Sequence, residues 1–392
     1  MQTSPIKINS LKPNTHTCIP KNLLCFSHLR WNFVFQRPQQ LFSRFSKHFN
    51  TYFFEEPILD AEDRAYLTLE NIQKNISVIV PHLPKDSTAE EQLQLQKELL
   101  DRLLASQNMA EFVFWYYTPM ALPFSEHWSP QLIVYDCMDE LSAFKFAPKN
   151  IGILEKKLFK KADLVFTGGL SLFQAKKHLH SNIYAFPSSI EKRHFEKAKK
   201  VQKPLLNIGM QTKLGFFGVL DERFDSMLIG KLAAQHPEWQ IELIGPVVKI
   251  NPDLLPTAPN IHYVGQVAYK ALPNYLAGWD IALIPFLINE TTRYISPTKT
   301  PEYLAAGKPV ISTPIRDVVQ AYGTMGLVWI GENATDFAWH VQKILSRTKS
   351  ETNAWMKDVD TYLSRQSWEH TCQAMMHKMK ETLEEKQMIS VA

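Results

Sequence analysis

The 392-residue sequence predicts an α/β protein built from two facing, doubly wound parallel-sheet domains. Three observations lead to this prediction. Short apolar runs alternate with amphipathic helical stretches, which is typical of βαβ construction. The same alternation starts again near residue 213, after a Lys-rich stretch without clear periodicity. The chain is also too long for one ordinary hydrophobic core, so two domains are expected.

In the first half, the apolar runs predict six strands, at residues 22–27, 51–55, 76–80, 112–117, 132–135 and 164–167. Helical periodicity predicts helices between them at residues 37–48, 88–106, 149–161 and 169–178. In the second half, strands are predicted at residues 213–218, 240–245, 262–265, 281–285, 310–313 and 327–330.

These elements predict five regions of the chain. They are a polar leader (1–21), a first domain (22–187), a linker (188–212), a second domain (213–365) and a terminal helical region (366–392). The last region follows both sheets, and we expect it to pack back across the hinge. The carboxyl ends of both sheets would then face one cleft, where ligands of open α/β sheets bind.

The composition predicts a globular protein in the cytoplasm. Hydrophobic residues make up 45% and charged residues 21% of the chain. No apolar run approaches the roughly 18 residues that a membrane span needs, and the polar start lacks the apolar core of a signal peptide. The four cysteines are scattered without the close spacing of a zinc site or a disulfide framework, so neither is expected.

The positive charge is concentrated in one part of the chain. Residues 145–213 contain 15 Lys or Arg and 4 Asp or Glu, a local excess of +11 in a chain whose formal charge is +4. Such asymmetry suggests an anionic partner, either nucleic acid or an acidic membrane, although solvated helix faces would also explain it. Because no nucleic-acid-binding motif accompanies the basic residues, a membrane surface is the preferred hypothesis.

The most informative motif is residues 296–313, which predicts a loop, a short helix and a buried strand. Thr300 is the predicted N-cap, Pro301 suits the first turn, and Gly307 follows the helix. Lys299 and the helix-start N–H groups would attract a diphosphate, and Glu302 could accept hydrogen bonds from ribose hydroxyls. Alternatively, these residues serve only to cap the helix.

Other polar positions follow the predicted strands of the second half. Gly218 would let a ligand approach the backbone closely, and Arg223 could make a bidentate contact with phosphate. The turn at Gly245 and the backbone near Val264 would flank a base and ribose, and Asn289 could reach a sugar. A charged turn or a tight loop would explain each of these residues equally well.

In the first half, the loop after the first strand carries Trp31, Asn32, Gln36 and Arg37, which we expect to overhang the cleft and touch an acceptor. Aromatic packing at the hinge is the alternative.

Three carboxylates, Asp136, Asp139 and Glu140, come directly after a predicted strand. Asp136 is the first choice for a group that deprotonates or orients a hydroxyl nucleophile. Asp139 could instead cap a helix or contact the acceptor.

Together, several segments resemble the GT-B glycosyltransferases, close to the family 4 group that builds bacterial surface polysaccharides. The matching segments are 31–40, 135–140, 217–225, 243–246, 272–280 and 296–310. The resemblance implies sugar transfer from a nucleotide diphosphate sugar, bound to the second half, to a hydroxyl of a saccharide or lipid-linked acceptor, bound to the first. It implies no cofactor and no obligatory metal.

The expected catalytic residues are Asp136, Lys299 and Arg223. The expected donor contacts are Gly218, Arg223, Gly245, Val264, Asn289, Ser296, Lys299, Thr300 and Glu302, and the expected acceptor contacts are Trp31, Asn32, Gln36, Arg37 and Asp139.

Two positions depart from the common family pattern. Tyr294 stands where many members have Glu, and Val219 where many have Arg. Two alternatives therefore stay open: a nucleotide-sugar epimerase or mutase, and a sugar-nucleotide-binding protein without turnover. A flavin mutase is disfavoured because no Gly-x-Gly-x-x-Gly follows the first strand.

Overall fold

The computed structural model describes residues 19–201 and 211–391 and contains two open α/β domains, each built on its own sheet. The fold class predicted from the sequence is confirmed.

The first sheet has nine strands in the order β3-β5-β2-β1-β6-β7-β8-β9, with β4 added beside β5. They are β1 (Asn22–Ser27), β2 (Asn50–Glu55), β3 (Ile58–Ala61), β4 (Tyr66–Gln73), β5 (Ile76–Pro84), β6 (Phe112–Tyr116), β7 (Leu132–Cys137), β8 (Leu164–Thr167) and β9 (Ile183–Ala185). All pairings are parallel except that of β4 with β5. The central strands are buried along their whole length, which explains why continuous apolar runs encode them.

The second sheet has six parallel strands in the order β12-β11-β10-β13-β14-β15. They are β10 (Lys213–Phe217), β11 (Gln240–Ile244), β12 (Ile261–Gly265), β13 (Ile281–Ile284), β14 (Val310–Ser312) and β15 (Trp329–Ile330). The strand order reverses at β10, between β11 and β13. The crevice beyond the carboxyl end of β10 is therefore the place where such a sheet binds ligands.

Fourteen α-helices lie within the described residues. They are α1 (Arg37–Phe45), α2 (Ala89–Leu104), α3 (Leu122–Ser125), α4 (Ile151–Lys161), α5 (Leu170–Lys176), α6 (Lys192–Phe195), α7 (Lys197–Lys200), α8 (Ser226–Gln235), α9 (Leu272–Gly278), α10 (Lys299–Ala305), α11 (Arg316–Ala321), α12 (Ala334–Leu345), α13 (Lys349–Leu363) and α14 (Trp368–Val391).

Residues 188–212, predicted as a linker, are described up to residue 201 and again from residue 211. Residues 202–210 lie outside the described part of the chain. The short helices α6 and α7 pack on the second domain, where Phe195 and Ala198 are buried in its core. The described start of this predicted linker therefore packs as part of the second domain.

The terminal helix α14 returns to the first domain. Its buried residues Trp368, Met375, Met379 and Leu383 pack in the core layer that also contains Phe42 of α1. The chain therefore crosses between the domains a second time.

A carboxylate from the second domain caps a helix of the first domain. Asp317 of α11 accepts hydrogen bonds from the backbone N–H groups of Leu170 and Ser171, both at 2.9 Å, and from the Ser171 hydroxyl. A Cβ at Gly169 would lie 2.4 Å from an Asp317 carboxylate oxygen, so glycine is needed for this approach. Asp317 is 4% exposed, and the contact fixes one point of the domain interface.

Candidate active site

A cavity of about 160 Å³, here called the central cavity, lies between the carboxyl ends of the two sheets. Its polar and charged lining residues are Gln36, Arg37, Asp139, Ser188, Arg223, Tyr269, Ser296, Thr298, Lys299 and Glu302. Both domains contribute to this lining, so the two facing sheets of the sequence prediction meet at one site.

Lys299, the first residue of α10, is an unpaired cation. Among the described residues, its ammonium forms no hydrogen bond and has no carboxylate within ion-pair distance; it lies 5.9 Å from the centre of the Phe286 ring. Burial, followed by the positive charge of Arg223, lowers the pKa of Lys299. A cation in this position would be stabilised by an anionic ligand.

Glu302 lies one helical turn into α10 and also lines the central cavity. Within the described chain, its carboxyl group forms no hydrogen bond or ion pair. Burial raises its pKa and Glu191 raises it further, while Lys299 opposes this shift. A carboxyl group in this state can bind hydroxyl groups of a ligand.

Arg223 lines the central cavity, but Asp221 already holds its guanidinium. The Arg223 Nε and Nη2 atoms donate to Asp221 at 2.9 and 2.5 Å, and the guanidinium lies near the rings of Phe144 and Phe286. The prediction that Arg223 makes a bidentate contact with phosphate is therefore corrected, because Nε and Nη2 of its guanidinium already bind Asp221. Its charge still contributes to the cavity.

Gly218 and Gly245 lie at the ends of β10 and β11, where the sequence places them. Their φ angles are 150° and 141°, a region that favours glycine. A Cβ at Gly245 would lie 1.8 Å from the Gly218 carbonyl oxygen, and one at Gly218 would lie 2.1 Å from the Cε atom of Lys299. Both glycines are needed for this close packing.

The two glycines line a second cavity of about 240 Å³, here called the glycine cavity. It adjoins the central cavity, with which it shares Phe35, Gly218 and Tyr269, and Asn32 also lines it. The two spaces together form one elongated site at the reversal point of the second sheet.

The predicted N-cap of α10 is wrong. The helix begins at Lys299 with Thr298 as its N-cap, and the Thr300 N–H donates to the Pro297 carbonyl at 3.3 Å. Because the helix starts two residues earlier than predicted, Thr300 lies inside it and is fully buried, and its hydroxyl has no partner among residues 19–201 and 211–391. It does not line the central cavity, whereas Ser296 does.

Two other predicted donor contacts lie outside the central and glycine cavities. Asn289 and Thr292 cap one another within their own loop, at 3.1 and 3.2 Å. Val264 lies on the edge strand β12 and is 37% exposed. The structure therefore does not bring these two residues to the site.

Asp136, the first choice for a catalytic carboxylate, does not face the cleft. Its two oxygens accept hydrogen bonds from Nη2 and Nε of Arg37 at 2.9 and 3.0 Å, and neither side chain is more than 2% exposed. Asp136 still belongs to β7, whereas Asp139 lies beyond the strand end and lines the cavity. Burial raises the pKa of Asp139 to about 6, although Arg223 and Arg37 oppose this shift.

The pairing with Asp136 also removes Arg37 as a free acceptor contact, since its Nη1 donates to the Phe186 carbonyl at 2.6 Å. The prediction that Trp31 contacts an acceptor is also corrected. This residue is 8% exposed, and its ring packs against Phe53 at 5.1 Å in the first-domain core. Gln36 does line the central cavity.

Tyr269 is a cleft residue that the sequence did not suggest. Its ring stacks on His194 at 4.4 Å and contacts Phe35 at 4.5 Å, and its hydroxyl bonds to Gln40 and Glu191. It connects the first domain, the segment after it and the second domain. No local sequence signal distinguishes this tyrosine, because its partners lie far away in the chain.

A third cavity of about 390 Å³, here called the lateral cavity, adjoins the central cavity on the side of residues 141–147, a segment that begins with a short 3-10 helix (Leu141–Ala143). Its polar and charged lining includes His28, Gln36, Glu56, Thr118, Asp139, Asp221, Glu222, Arg223 and Lys249. Its apolar lining includes Leu141, Phe144, Phe146 and Ile151.

A search of residues 19–201 and 211–391 finds no group of three His, Cys, Asp or Glu side chains arranged to hold a metal ion. Over the same residues, no helix has the length and apolar character of a membrane span.

Residues 212–347 match the family model described as glycosyl transferases group 1. The chain is 26% identical over 279 residues to a Bacillus subtilis protein described as a teichuronic acid biosynthesis glycosyltransferase, covering 66% of this chain and 70% of that protein.

Two solved structures show the same architecture. Sucrose-phosphate synthase from Thermosynechococcus elongatus aligns with a TM-score of 0.71 at 13% identity, covering 95% of this chain and 100% of that one. An Anabaena protein in complex with UDP and glucose aligns with a TM-score of 0.65 at 14% identity, covering 92% and 99%. This architecture is the GT-B fold, and the match to the glycosyl transferases group 1 model lies in its second domain.

Proposed function

We propose that the cleft binds a nucleotide diphosphate sugar and transfers its sugar to an acceptor hydroxyl. One observation carries this proposal: Lys299 and Glu302, adjacent turns of one helix, both face the central cavity without a partner in the described chain. A diphosphate would pair with the first, and hydroxyl groups would bind the second.

The diphosphate would lie against Lys299. An unpaired, partly buried cation is unfavourable in the empty protein, so pairing with a phosphate oxygen would release that cost on binding. Negative charge grows on the diphosphate as the sugar leaves, and Lys299 and Arg223 would stabilise it. Because these cations supply positive charge, we expect no obligatory metal and no cofactor.

The nucleoside would occupy the glycine cavity, where the positive-φ backbone at Gly218 and Gly245 leaves room for a close approach. Glu302 would bind its ribose. The Anabaena structure contains UDP, which makes UDP sugars the first donors to test.

The B. subtilis relative is described as acting in teichuronic acid biosynthesis. Together with the motif resemblance to family 4, this supports a role for the present chain in making a surface polysaccharide or glycolipid. The acceptor would then be a saccharide or a lipid-linked saccharide at the inner face of the plasma membrane.

An exposed face around α4 supports attachment to that membrane. Phe146 and Ile153 are 63% and 64% exposed, and Lys145, Lys149 and Lys156 are exposed near them in the chain. Apolar side chains among basic ones favour an anionic membrane surface. We propose a peripheral contact here, with the protein in the cytoplasm.

A panel of nucleotide diphosphate sugars tests the function directly. A donor that binds the folded state should raise the melting temperature, and incubation with acceptor extract should release nucleotide diphosphate and extend a saccharide. An isomerised nucleotide sugar formed without acceptor would favour the epimerase alternative. Donor binding without turnover in any extract would favour the non-catalytic alternative.

Sedimentation with vesicles tests the membrane contact. Wild-type protein should sediment with vesicles that contain anionic lipid and should dissociate from them at high salt. A smaller fraction of a Phe146→Ser, Ile153→Ser double variant should sediment with the same vesicles. Met227→Ser is the matched control, because Met227 is 69% exposed on the second domain. Equal loss in the control, or no loss in the double variant, would contradict the assignment of this face.

A further inference from the structure

The strand β4 forms one edge of the first sheet. It pairs with β5, antiparallel, and no other strand within residues 19–201 and 211–391 pairs with it. The outer edge of β4 therefore presents backbone N–H and C=O groups without a strand partner. Such an edge is a template on which another chain can add a strand.

The strand β4 lacks the features that usually protect an edge. It is eight residues long (Tyr66–Gln73), whereas β9, β12 and β15, at the other edges of the two sheets, have three, five and two residues. It contains no proline, lysine or arginine, and its one charged residue is Glu70. Short length, proline and basic side chains are the common ways to prevent edge pairing. An irregularity in the ladder with β5 affects only the end of β4, after Asn71.

The register with β5 shows which backbone groups of β4 are free. Leu67 lies opposite Pro81. Because proline has no N–H, these two residues cannot exchange a pair of hydrogen bonds. The N–H and C=O groups of Leu67 therefore point away from β5. Since this direction alternates along an antiparallel strand, those of Leu69 point the same way.

The sequence of β4 is self-complementary. A two-fold axis through an antiparallel strand pair places one residue opposite its own copy, and its neighbours opposite each other. With Thr68 on the axis, Leu67 of each copy lies opposite Leu69 of the other, and the two threonines face one another; apolar pairs and threonine pairs both stabilise a sheet. With Leu69 on the axis, Leu67 would lie opposite Asn71. With Glu70 on the axis, two carboxylates would be opposed, which is destabilising.

The charges at the two ends of β4 also fit pairing about Thr68. Glu62, Asp63 and Arg64 precede the strand with a net charge of −1, and Lys74 follows it. All four side chains are exposed, and within the described part of the chain none of them forms an ion pair. Antiparallel pairing brings Lys74 of one copy near Glu62 of the other, once at each end of the symmetric interface. Opposite charges that meet across a strand pair favour this register.

We propose that β4 is a homodimer interface, in which it pairs antiparallel with β4 of a second copy about Thr68. The first-domain sheets of the two copies then form one continuous sheet. A single strand pair is smaller than the roughly 1,200 Å² of total surface that stable complexes bury, so the dimer should dissociate on dilution. This inference goes beyond the proposed function and does not depend on it.

Analytical ultracentrifugation of the full chain over a range of concentrations tests the interface. The wild-type mass should rise from 45.2 kDa towards that of a dimer as the concentration increases. Thr68→Lys places two like charges on the axis and should raise the dimer dissociation constant by about tenfold. Thr361→Lys is the matched control, since it adds the same charge at an exposed threonine of α13, and it should match wild type.

A mixture of two variants separates loss of pairing from misfolding. Thr68→Glu alone should also dimerise more weakly than wild type. An equimolar mixture of Thr68→Lys and Thr68→Glu should dimerise at least as well as wild type, because opposite charges then meet on the axis. A wild type that stays at 45.2 kDa at every concentration would overturn the proposal. So would a dimer that both variants leave intact, or a mixture that associates no better than either variant alone.

Discussion

Replacing Lys299 with Met should separate ligand binding from stability. The two side chains are similar in length, so the change mainly removes the charge. In the empty protein this cation has no partner among the described residues, and burial, followed by the positive charge of Arg223, lowers its pKa. We therefore expect Lys299→Met to unfold at the same denaturant concentration as wild type or a higher one.

The same substitution should weaken UDP binding, although it leaves stability unchanged or raises it. A hydrogen bond to a charged group contributes about 1.5–3 kcal/mol, and about 1.4 kcal/mol corresponds to a tenfold change in Kd. Loss of the contact between Lys299 and the diphosphate should therefore raise the Kd for UDP by roughly 10- to 150-fold. Titration calorimetry measures this change.

Lys308 provides the matched control in the same motif. Its ammonium is buried and donates to the carbonyl oxygens of Ala277 and Trp279, at 3.2 and 2.7 Å. Lys308→Met should therefore lower the free energy of unfolding by about 1–3 kcal/mol, since it leaves buried carbonyl groups unpaired. Its folded fraction should still bind UDP with near-normal affinity.

The reasoning would be refuted if Lys299→Met bound UDP as tightly as wild type. It would be refuted equally if the variant lost stability as Lys308→Met does, since Lys299 would then have a structural role.

Three further predictions concern the same cleft. Burial raises the pKa of Glu302, so the folded state loses stability as the pH rises through that pKa. At pH 8, Glu302→Gln should therefore have a free energy of unfolding about 1–3 kcal/mol higher than that of wild type. Denaturant titrations should show this difference closing towards pH 5. Gly218→Ala should displace Lys299 and weaken UDP binding in calorimetry, because its Cβ would lie 2.1 Å from the lysine Cε; unchanged affinity would count against this packing. Asp317→Ala should lower the free energy of unfolding by about 1.5–3 kcal/mol and enlarge the radius of gyration in solution scattering, and an unchanged radius would show that this contact does not hold the domains.

Much of the fold could be predicted from the sequence because most of its strands are buried on both faces. A strand such as β1, six buried residues long, must be apolar throughout, and such runs are visible without a structure. The strands that were missed lack this property. β4 pairs antiparallel at the edge of its sheet with no buried residue, and β9 has only three residues.

The site was predicted where a residue's role depends on its own strand end or helix. Gly218, Gly245, Lys299 and Glu302 all line the cavities for that reason. Asp136 could not be assigned correctly, because its environment is set by Arg37, which is 99 residues away in the chain. The same holds for the hydroxyl of Tyr269, whose partners Gln40 and Glu191 come from distant segments.

The central claim is that a nucleotide diphosphate binds in the cleft with its phosphates against the first residue of α10. A crystal structure of the protein with UDP tests this most directly. The account predicts a phosphate oxygen within about 3 Å of the Lys299 ammonium and the ribose hydroxyls at Glu302. A diphosphate bound elsewhere, with Lys299 still unpaired, would contradict it.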